Sequence, residues 1–407
     1  MRGPATAIIL GSKIPVAAMK RLRPAKRSKL SPETENLLHL ATGLGQSNCR
    51  IEDTFWTVRL AALVERLLKD QEEAVLIAAL DQLYGNNNRA YDALADLIEA
   101  GAESRQAKDG EFDLLLIVVP ILAWSRFSIP SGSVSREVLA NVRVQLAAHV
   151  LAKDVRLGLA DFFYSPDQLP QSYCDTGLLT DKLGKAALHN RDLHIDPKLA
   201  PQTNVFLSDT RYLLGVVSAT SGAPLFRWQE ENGDRAQVLK VWSAQGGETL
   251  RPLLAGCASE PLLPQSYHAG CRDADHFSRP YSLRASVAFL STTLNITPSQ
   301  LRCVVASYHE QRLEEFRIGF ILRETGELVH GAVWPLLDGE DEATETPAEI
   351  EALLREMGVG EVLVLDQRLP VEYCDDCGAP LFPNAEGESV HAEMPEEQAE
   401  AAPRHLH

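Results

Sequence analysis

The sequence of 407 residues contains no apolar run that approaches the roughly 18 residues of a membrane-spanning helix. An apolar stretch at residues 6–18 is interrupted by Lys13 and Pro15 and lacks a clear basic segment before it, so we expect no signal peptide. We therefore expect a cytoplasmic protein that does not bind membranes. Met19 is a more natural start, and residues 1–18 then form an upstream extension.

Common catalytic signatures are also missing. The sequence has no G-x-x-x-x-G-K-[ST] loop, no G-x-G-x-x-G segment after a strand and no G-x-S-x-G elbow. The sequence thus offers neither a glycine loop that cradles phosphates nor an exposed serine nucleophile. Its 45% hydrophobic and 23% charged residues are typical of a globular protein, and its length usually corresponds to more than one domain.

Positive charge is scarce outside the first residues. Residues 1–29 hold eight Lys or Arg and no acid, which leaves about −25 on the remainder of a chain whose total is −17. A body this acidic repels phosphate backbones, so nucleic acid is a partner that we do not favour. We expect residues 1–30 to form a basic, disordered arm, which is the one segment that could still touch nucleic acid.

The pattern of apolar residues predicts an α+β protein. Leucine-rich stripes at helical spacing indicate a helical N-terminal layer over residues 31–108. Strands then alternate with helices, which predicts a repeated α/β domain of strand–helix–strand units over residues 109–385, with a mixed or antiparallel sheet. Residues 316–322 and 328–334 read as a hairpin, and Thr346-Pro347-Ala348-Glu349 as a capping box that starts a helix. Residues 386–407 read as an acidic tail.

A pentapeptide recurs along this scaffold. Leu169-Pro170-Gln171-Ser172-Tyr173 and Leu263-Pro264-Gln265-Ser266-Tyr267 are identical, and Leu369-Pro370-Val371-Glu372-Tyr373 is a looser third copy. Each copy follows a helix and then a strand in the predicted order, so we interpret it as the mark of an internal repeat, with chance as the alternative.

The third copy leads into the segment Tyr373-Cys374-Asp375-Asp376-Cys377-Gly378. A Cys-x-x-Cys-Gly turn aims two sulfurs at one point, which suits zinc, and we predict a C-terminal zinc knuckle with a structural role. A redox dithiol is less favoured because two aspartates lie between the thiols and no helix follows. The remaining alternative is a pair of unligated cysteines.

Two cysteines are half of a structural zinc site. The candidates for the other ligands are Cys271, His391, His268, Cys174, His405 and His407. We choose Cys271 with His391, because the second pentapeptide is followed by His268-x-x-Cys271 where the third is followed by Cys374-x-x-Cys377. On this hypothesis the knuckle closes against an earlier repeat.

Three segments resemble one family. They are residues 122–132 (LAWSRFSIPSG), 224–229 (PLFRWQ) and 373–383 (YCDDCGAPLFP). Together with residues 390–396 (VHAEMPE) they are similar to an uncharacterised bacterial family, domain of unknown function 2863, and the resemblance spans about residue 28 to the end. It implies a bacterial cytoplasmic protein and carries no activity or catalytic residue with it.

The sequence therefore favours a non-enzymatic binding or scaffold protein with a structural zinc and an unknown protein partner. The first alternative is a zinc-dependent hydrolase or deaminase, since His391-x-Glu393 with Cys-x-x-Cys belongs to zinc deaminases. There the His-x-Glu precedes the cysteines, whereas here it follows them. The second alternative is a nucleic-acid-associated factor that uses the basic arm.

Overall fold

The computed structural model describes residues 30–337 and 339–395, so most of the expected basic arm and residues 396–407 of the expected tail lie outside the described residues. The chain opens with α1 (Pro32–Gln46), α2 (Arg50–Lys69), α3 (Glu73–Leu83) and α4 (Asn88–Glu103). Side chains of Ser31 and Asn87 accept hydrogen bonds from the first turns of α1 and α4, which is why these helices begin there. The four helices share a leucine-rich core, which confirms the predicted helical layer.

A large antiparallel sheet follows. Its strands are β1 (Ser104–Ala107), β2 (Phe112–Trp124), β3 (Gly132–Ser133), β4 (Arg156–Tyr164), β5 (Ser208–Thr220), β6 (Ala258–Pro261) and β7 (Gln265–Ser266). The spatial order is β1-β2-β5-β4-β3, and β6 and β7 also pair with β2. β1 belongs to this sheet although it falls within residues 31–108, so the sheet begins slightly before the expected boundary.

Helices cover both faces of this sheet. They are α5 (Arg136–His149), α6 (Tyr173–Ala187), α7 (Arg235–Leu250) and α8 (Tyr267–Thr293). Ile117 and Val119 of β2 share a core with α5 and α7, while the alternate residues Leu116 and Val118 share one with α6 and α8. Burial on both faces explains why β2 is apolar without alternation.

The identical pentapeptides both start helices. Tyr173 is the first residue of α6 and Tyr267 the first residue of α8. At each start a carboxylate of the helical layer accepts backbone N–H groups: Glu73 from Cys174 at 2.9 Å, and Glu103 from His268 at 2.8 Å. Because the first N–H groups of a helix have no partner within the helix, a carboxyl oxygen that accepts from them fastens the helical layer to the sheet.

Glu103 is expected to make the stability of this junction pH-dependent. Burial is the largest effect and raises the pKa of Glu103 to about 7 from 4.5. A raised folded-state pKa gives stability that is present below pH 4.5 and lost as pH rises through about 7, a total loss of about 3 kcal/mol. Glu103→Gln keeps an acceptor for His268 and removes this loss.

The measurement is urea unfolding of wild type and Glu103→Gln at pH 5 and pH 8. The free energy of unfolding of Glu103→Gln should rise relative to that of the wild type as pH rises. Glu65→Gln makes the same change of charge at an exposed position, and its free energy of unfolding should not rise in this way. An equal wild-type-to-variant difference at both pH values would contradict the prediction.

α8 joins the large sheet to a second core. It runs for 27 residues, with Pro280 inside it. Its first half contributes Tyr267 and Cys271 to the core of the large sheet, and its second half contributes Leu283 and Leu290 to the core of a second sheet. No helix among the described residues, α8 included, is both long and apolar enough to cross a membrane.

The second sheet carries the C-terminal part of the chain. Its strands are β8 (Leu301–His309), β9 (Leu313–Leu322), β10 (Leu328–Pro335) and β11 (Glu361–Pro370), in the order β10-β9-β8-β11, with α9 (Thr346–Glu356) before β11. β9 and β10 form the predicted hairpin, and β11 lies parallel to β8. A small hairpin of β12 (Phe382–Pro383) and β13 (Ser389–Val390) follows. Residues 386–395 were expected to belong to the acidic tail. They instead contain the end of the hairpin connection, β13 and the five residues after it.

Candidate metal centre

The knuckle is a tight turn that follows β11. Tyr373 bridges to Pro380, and the Cys374 N–H donates to the Ala379 carbonyl at 2.7 Å. The Gly378 N–H donates back to the Cys374 carbonyl at 2.8 Å, with Gly378 at a φ of +74°. Glycine adopts this left-handed backbone without steric cost, so it allows the chain to reverse directly after the second cysteine.

The β12–β13 hairpin returns the chain to the knuckle. Its connection is organised by the Asn384 side chain, whose oxygen accepts from the Glu386 N–H at 3.1 Å and the Glu388 N–H at 2.8 Å. Phe382 pairs with Val390, and the next residue is His391. The hairpin therefore delivers an imidazole to the side of the two cysteines.

Cys374, Cys377 and His391 form one cluster. Their ligand atoms all lie within 4.8 Å of one another, and Cys377 Sγ lies 3.2 Å from His391 Nε2. Two sulfurs and one imidazole nitrogen on a tetrahedral zinc would lie about 3.5 to 3.8 Å apart, given metal bonds of about 2.3 and 2.0 Å. The cluster could thus hold a metal with little rearrangement.

The electrostatics around Cys374 favour a thiolate. The backbone N–H of Cys377, then that of Asp376, and the Cys377 side chain lower the pKa of the Cys374 thiol. A thiolate is the form that binds a metal. The intervening Asp375 and Asp376 are exposed and point their charge at solvent, so the cluster lies at the surface.

Arg317 of β9 fastens the base of the knuckle. It is fully buried, and its Nη1 donates to the carbonyls of Glu372 at 2.6 Å and Leu381 at 2.8 Å. These residues flank the knuckle on its two sides. The Nε of Arg317 donates to Glu315 at 2.6 Å, and its guanidinium lies 5.2 Å from the centroid of the Tyr373 ring. One buried cation therefore holds both chain segments that frame the cysteines.

The hairpin is seated on two glycines of the second sheet. Phe382 is 1% exposed, and a Cβ on Gly331 would lie 2.3 Å from its ring. A Cβ on Gly319 would lie 2.2 Å from the carbonyl oxygen of Pro383. Only glycine permits this close approach, so the position of His391 depends on the bare backbone of β9 and β10.

The chain was compared with protein families, curated proteins and solved structures. The model of a protein family of unknown function, DUF2863, matches residues 22–405. The chain belongs to the DUF2863 family. No curated protein and no solved structure matches it. The matched range includes the knuckle and the hairpin of this DUF2863 chain.

The structure does not bring Cys271 to the cluster. In this DUF2863 protein Cys271 lies in α8, buried beside Tyr267 in the core of the large sheet, and burial raises its pKa well above 9. Its partner in the proposed repeat, His268, is also buried, and its ring lies 5.9 Å from that of Tyr173. The first and second pentapeptides therefore meet each other, and the second does not meet the knuckle.

A fourth protein ligand does not appear among residues 30–337 and 339–395, where only three side chains form the cluster. Glu393 lies near the other face of the imidazole, with Oε1 3.7 Å from His391 Nδ1. Glu393 makes no hydrogen bond with Nδ1 at this distance, and Nε2 is the nitrogen that faces Cys377. His405 and His407, the other sequence candidates near the end of the chain, lie outside the described residues.

Arg317 was not a candidate in the sequence. The one available signal was a cation within the apolar strand segment 316–322, a position where arginine must have buried partners.

Proposed function

We propose that this DUF2863 protein is a non-enzymatic binding or scaffold protein whose C-terminal knuckle holds a structural zinc ion. The observation that carries the proposal is the convergence of Cys374, Cys377 and His391. Two thiolates and an imidazole suit zinc better than magnesium or calcium, which prefer oxygen ligands. The ion would join the turn after β11 to the residue after β13 and so lock the hairpin.

Metal content tests the proposal directly. We expect about one zinc per chain in reduced wild type after dialysis, and less than a tenth of that in Cys374→Ser. Cys257→Ser is the matched control. Cys257 lies outside the cluster, so this variant should keep the zinc content of the wild type. Wild type without stoichiometric zinc, or zinc retained in Cys374→Ser, would refute this assignment.

A zinc-dependent hydrolase or deaminase is the second candidate. Three protein ligands with an open fourth position are the pattern of catalytic zinc, and Glu393 is a carboxylate close to His391. Against it, the Glu393 side chain is 81% exposed and follows the hairpin, and among residues 30–337 and 339–395 no helix holds it over a bound water. Cobalt substitution separates the two: an absorption spectrum that shifts with pH near 7 indicates bound water, and a constant spectrum indicates a closed site.

We place the protein in a reducing compartment, the bacterial cytoplasm. All seven cysteines are free thiols, and Cys174, Cys271 and Cys303 are buried core residues. Such thiols persist where glutathione and thioredoxin keep them reduced.

A nucleic-acid role for residues 1–29 stays the least favoured proposal. It requires binding that weakens steeply between low and moderate salt.

We infer that the large sheet arose from a repeated unit. β2 and β5 each have 13 residues and pair antiparallel about Val118 and Leu214. β4 follows β2 but pairs with β5, while β6 and β7 follow β5 but pair with β2. Each half then reaches a pentapeptide and a helix, an arrangement that approximates a two-fold axis between β2 and β5.

A further inference from the structure

The first turns of α2 present an apolar stripe to solvent. Ile51 is 83% exposed, Phe55 46% and Val58 61%, and Ala62 is also exposed. These four residues are spaced by four, three and four positions, which is the spacing of a coiled-coil seam. The stripe spans about three helical turns.

The opposite side of α2 faces the helical core. Its buried residues are Leu60, Leu63, Val64, Leu67 and Leu68. Before residue 60 the helix contacts the layer through Trp56, whose ring lies against Gly43. The stripe is therefore a second apolar face of a helix that has already buried its first, and no described residue covers it.

Charged residues border only one side of the stripe. Glu52 and Arg59 lie seven positions apart on one flank, and the small residues Thr54 and Ala61 lie on the other. Glu52 accepts the Asn48 N–H at 3.2 Å, and the Arg59 guanidinium lies 3.6 Å from the centroid of the Phe55 ring. Neither has an ion-pair partner of opposite charge among the described residues.

We propose that a second copy of this chain docks on the stripe, with the two α2 helices antiparallel across a two-fold axis. In this register Phe55 faces Val58 of the other copy, and Ile51 faces Ala62. Glu52 then lies beside Arg59 of the other copy, and the symmetry makes that ion pair twice. The small residues on the other flank let the helices approach closely.

Charge selects the antiparallel arrangement over the parallel one. In a parallel pair the flank with Glu52 and Arg59 would face Thr54 and Ala61, and no ion pair would form. The interface of three turns is small, so we expect a dissociation constant of roughly 1–100 µM. This association uses α2 alone and does not depend on the knuckle or its metal.

The test is sedimentation velocity on the full-length protein from about 1 to 200 µM, a range that brackets this constant. Reducing agent is required, because exposed Cys49 at the start of α2 could form a disulfide that mimics the dimer. Wild type should pass from monomer to dimer across the range. Val58→Glu should weaken association more than tenfold, and Leu199→Glu, at another residue that is 84% exposed, should have no effect.

Charge reversal tests the geometry. Arg59→Glu should weaken association at least fivefold, and Glu52→Arg with Arg59→Glu should restore it to within about threefold. All substituted side chains are exposed, and circular dichroism verifies that the variants fold. A monomeric wild type at every concentration overturns the proposal, and would make residues 1–29 the next candidate to cover the stripe. Association that survives both single variants, or that the double variant fails to restore, overturns it as well.

Discussion

Replacing Arg317 by methionine is expected to lower the free energy of unfolding of the second sheet by about 3 to 5 kcal/mol. The guanidinium is fully buried, and its removal leaves Glu315 without its cation and takes a donor from the carbonyls of Glu372 and Leu381. A partly buried carboxylate that loses its cation, and carbonyls that lose their donor, keep part of their desolvation cost. Urea unfolding measures the loss.

Arg317→Met should also lower the affinity of the knuckle for zinc. Arg317 does not touch the cluster, but it holds both segments that frame it. Changes to residues that position metal ligands typically reduce metal affinity about 10- to 100-fold. Competition with a chelator would measure this effect.

Arg302→Met is the matched control for Arg317. Arg302 lies on the neighbouring strand β8, is partly exposed and pairs with Glu361 at 2.8 Å. An exposed pair contributes about 0 to 1 kcal/mol, so this variant should retain its stability and its zinc. Equal losses in the two variants would show that Arg317 has no special role in holding the knuckle.

Phe382→Ala is expected to lower the free energy of unfolding by about 3 to 5 kcal/mol and to release the hairpin that carries His391. The ring is 1% exposed and is seated on Gly331, so its removal leaves a cavity between the hairpin and the sheet. With the hairpin loosened, one of three ligands loses its position. Zinc should dissociate faster from this variant, which a chromogenic chelator detects in a stopped-flow experiment.

Phe382→Leu separates volume from aromatic character. Leucine keeps most of the buried volume, so it should retain more than half of the lost stability and a nearly normal rate of zinc release. If alanine and leucine behave alike, the seat on Gly331 is not what positions His391. If neither changes zinc release, the metal is held without the hairpin.

Much of the knuckle was readable from sequence because its geometry is local. Cys374, Cys377 and Gly378 lie within five residues, and a short hairpin brings His391 back to them. The β9–β10 hairpin was likewise predictable, from two apolar runs around a turn. Local spacing and turn chemistry determine such features, and no distant contact is needed to select them.

The choice of Cys271 failed for a reason that lies outside the pentapeptide. The first two copies lead into helices, so the residues after them turn inward on a helical spacing and become buried. After the third copy, Gly378 and Pro380 turn the chain into a knuckle. Equal positions in sequence therefore lie in different local structures, and the matching of His268-x-x-Cys271 with Cys374-x-x-Cys377 does not extend to space.

Two helix starts also differed from expectation. Leu283, Leu290 and Leu294 have the spacing of one helix face and predict a helix over these residues, but α8 begins well before them at Tyr267 and runs through Pro280. Burial on two successive cores stabilises it across a residue that usually ends helices. In α9, Thr346 is the first helical residue and not the cap, because Glu345 takes the cap position.

The exchange of strands between the halves of the large sheet has a consequence for synthesis on the ribosome. β2 is complete at Trp124, yet its long partner β5 ends only at Thr220 and the last of its partners, β7, only at Ser266. Translation at about 5–20 residues per second leaves this apolar strand without β5 for roughly 5 to 20 seconds and without its full set of neighbours for roughly 7 to 28 seconds. Nascent chains of this protein should therefore depend on chaperones that shield extended apolar segments, and slower translation between β2 and β7 should increase that dependence.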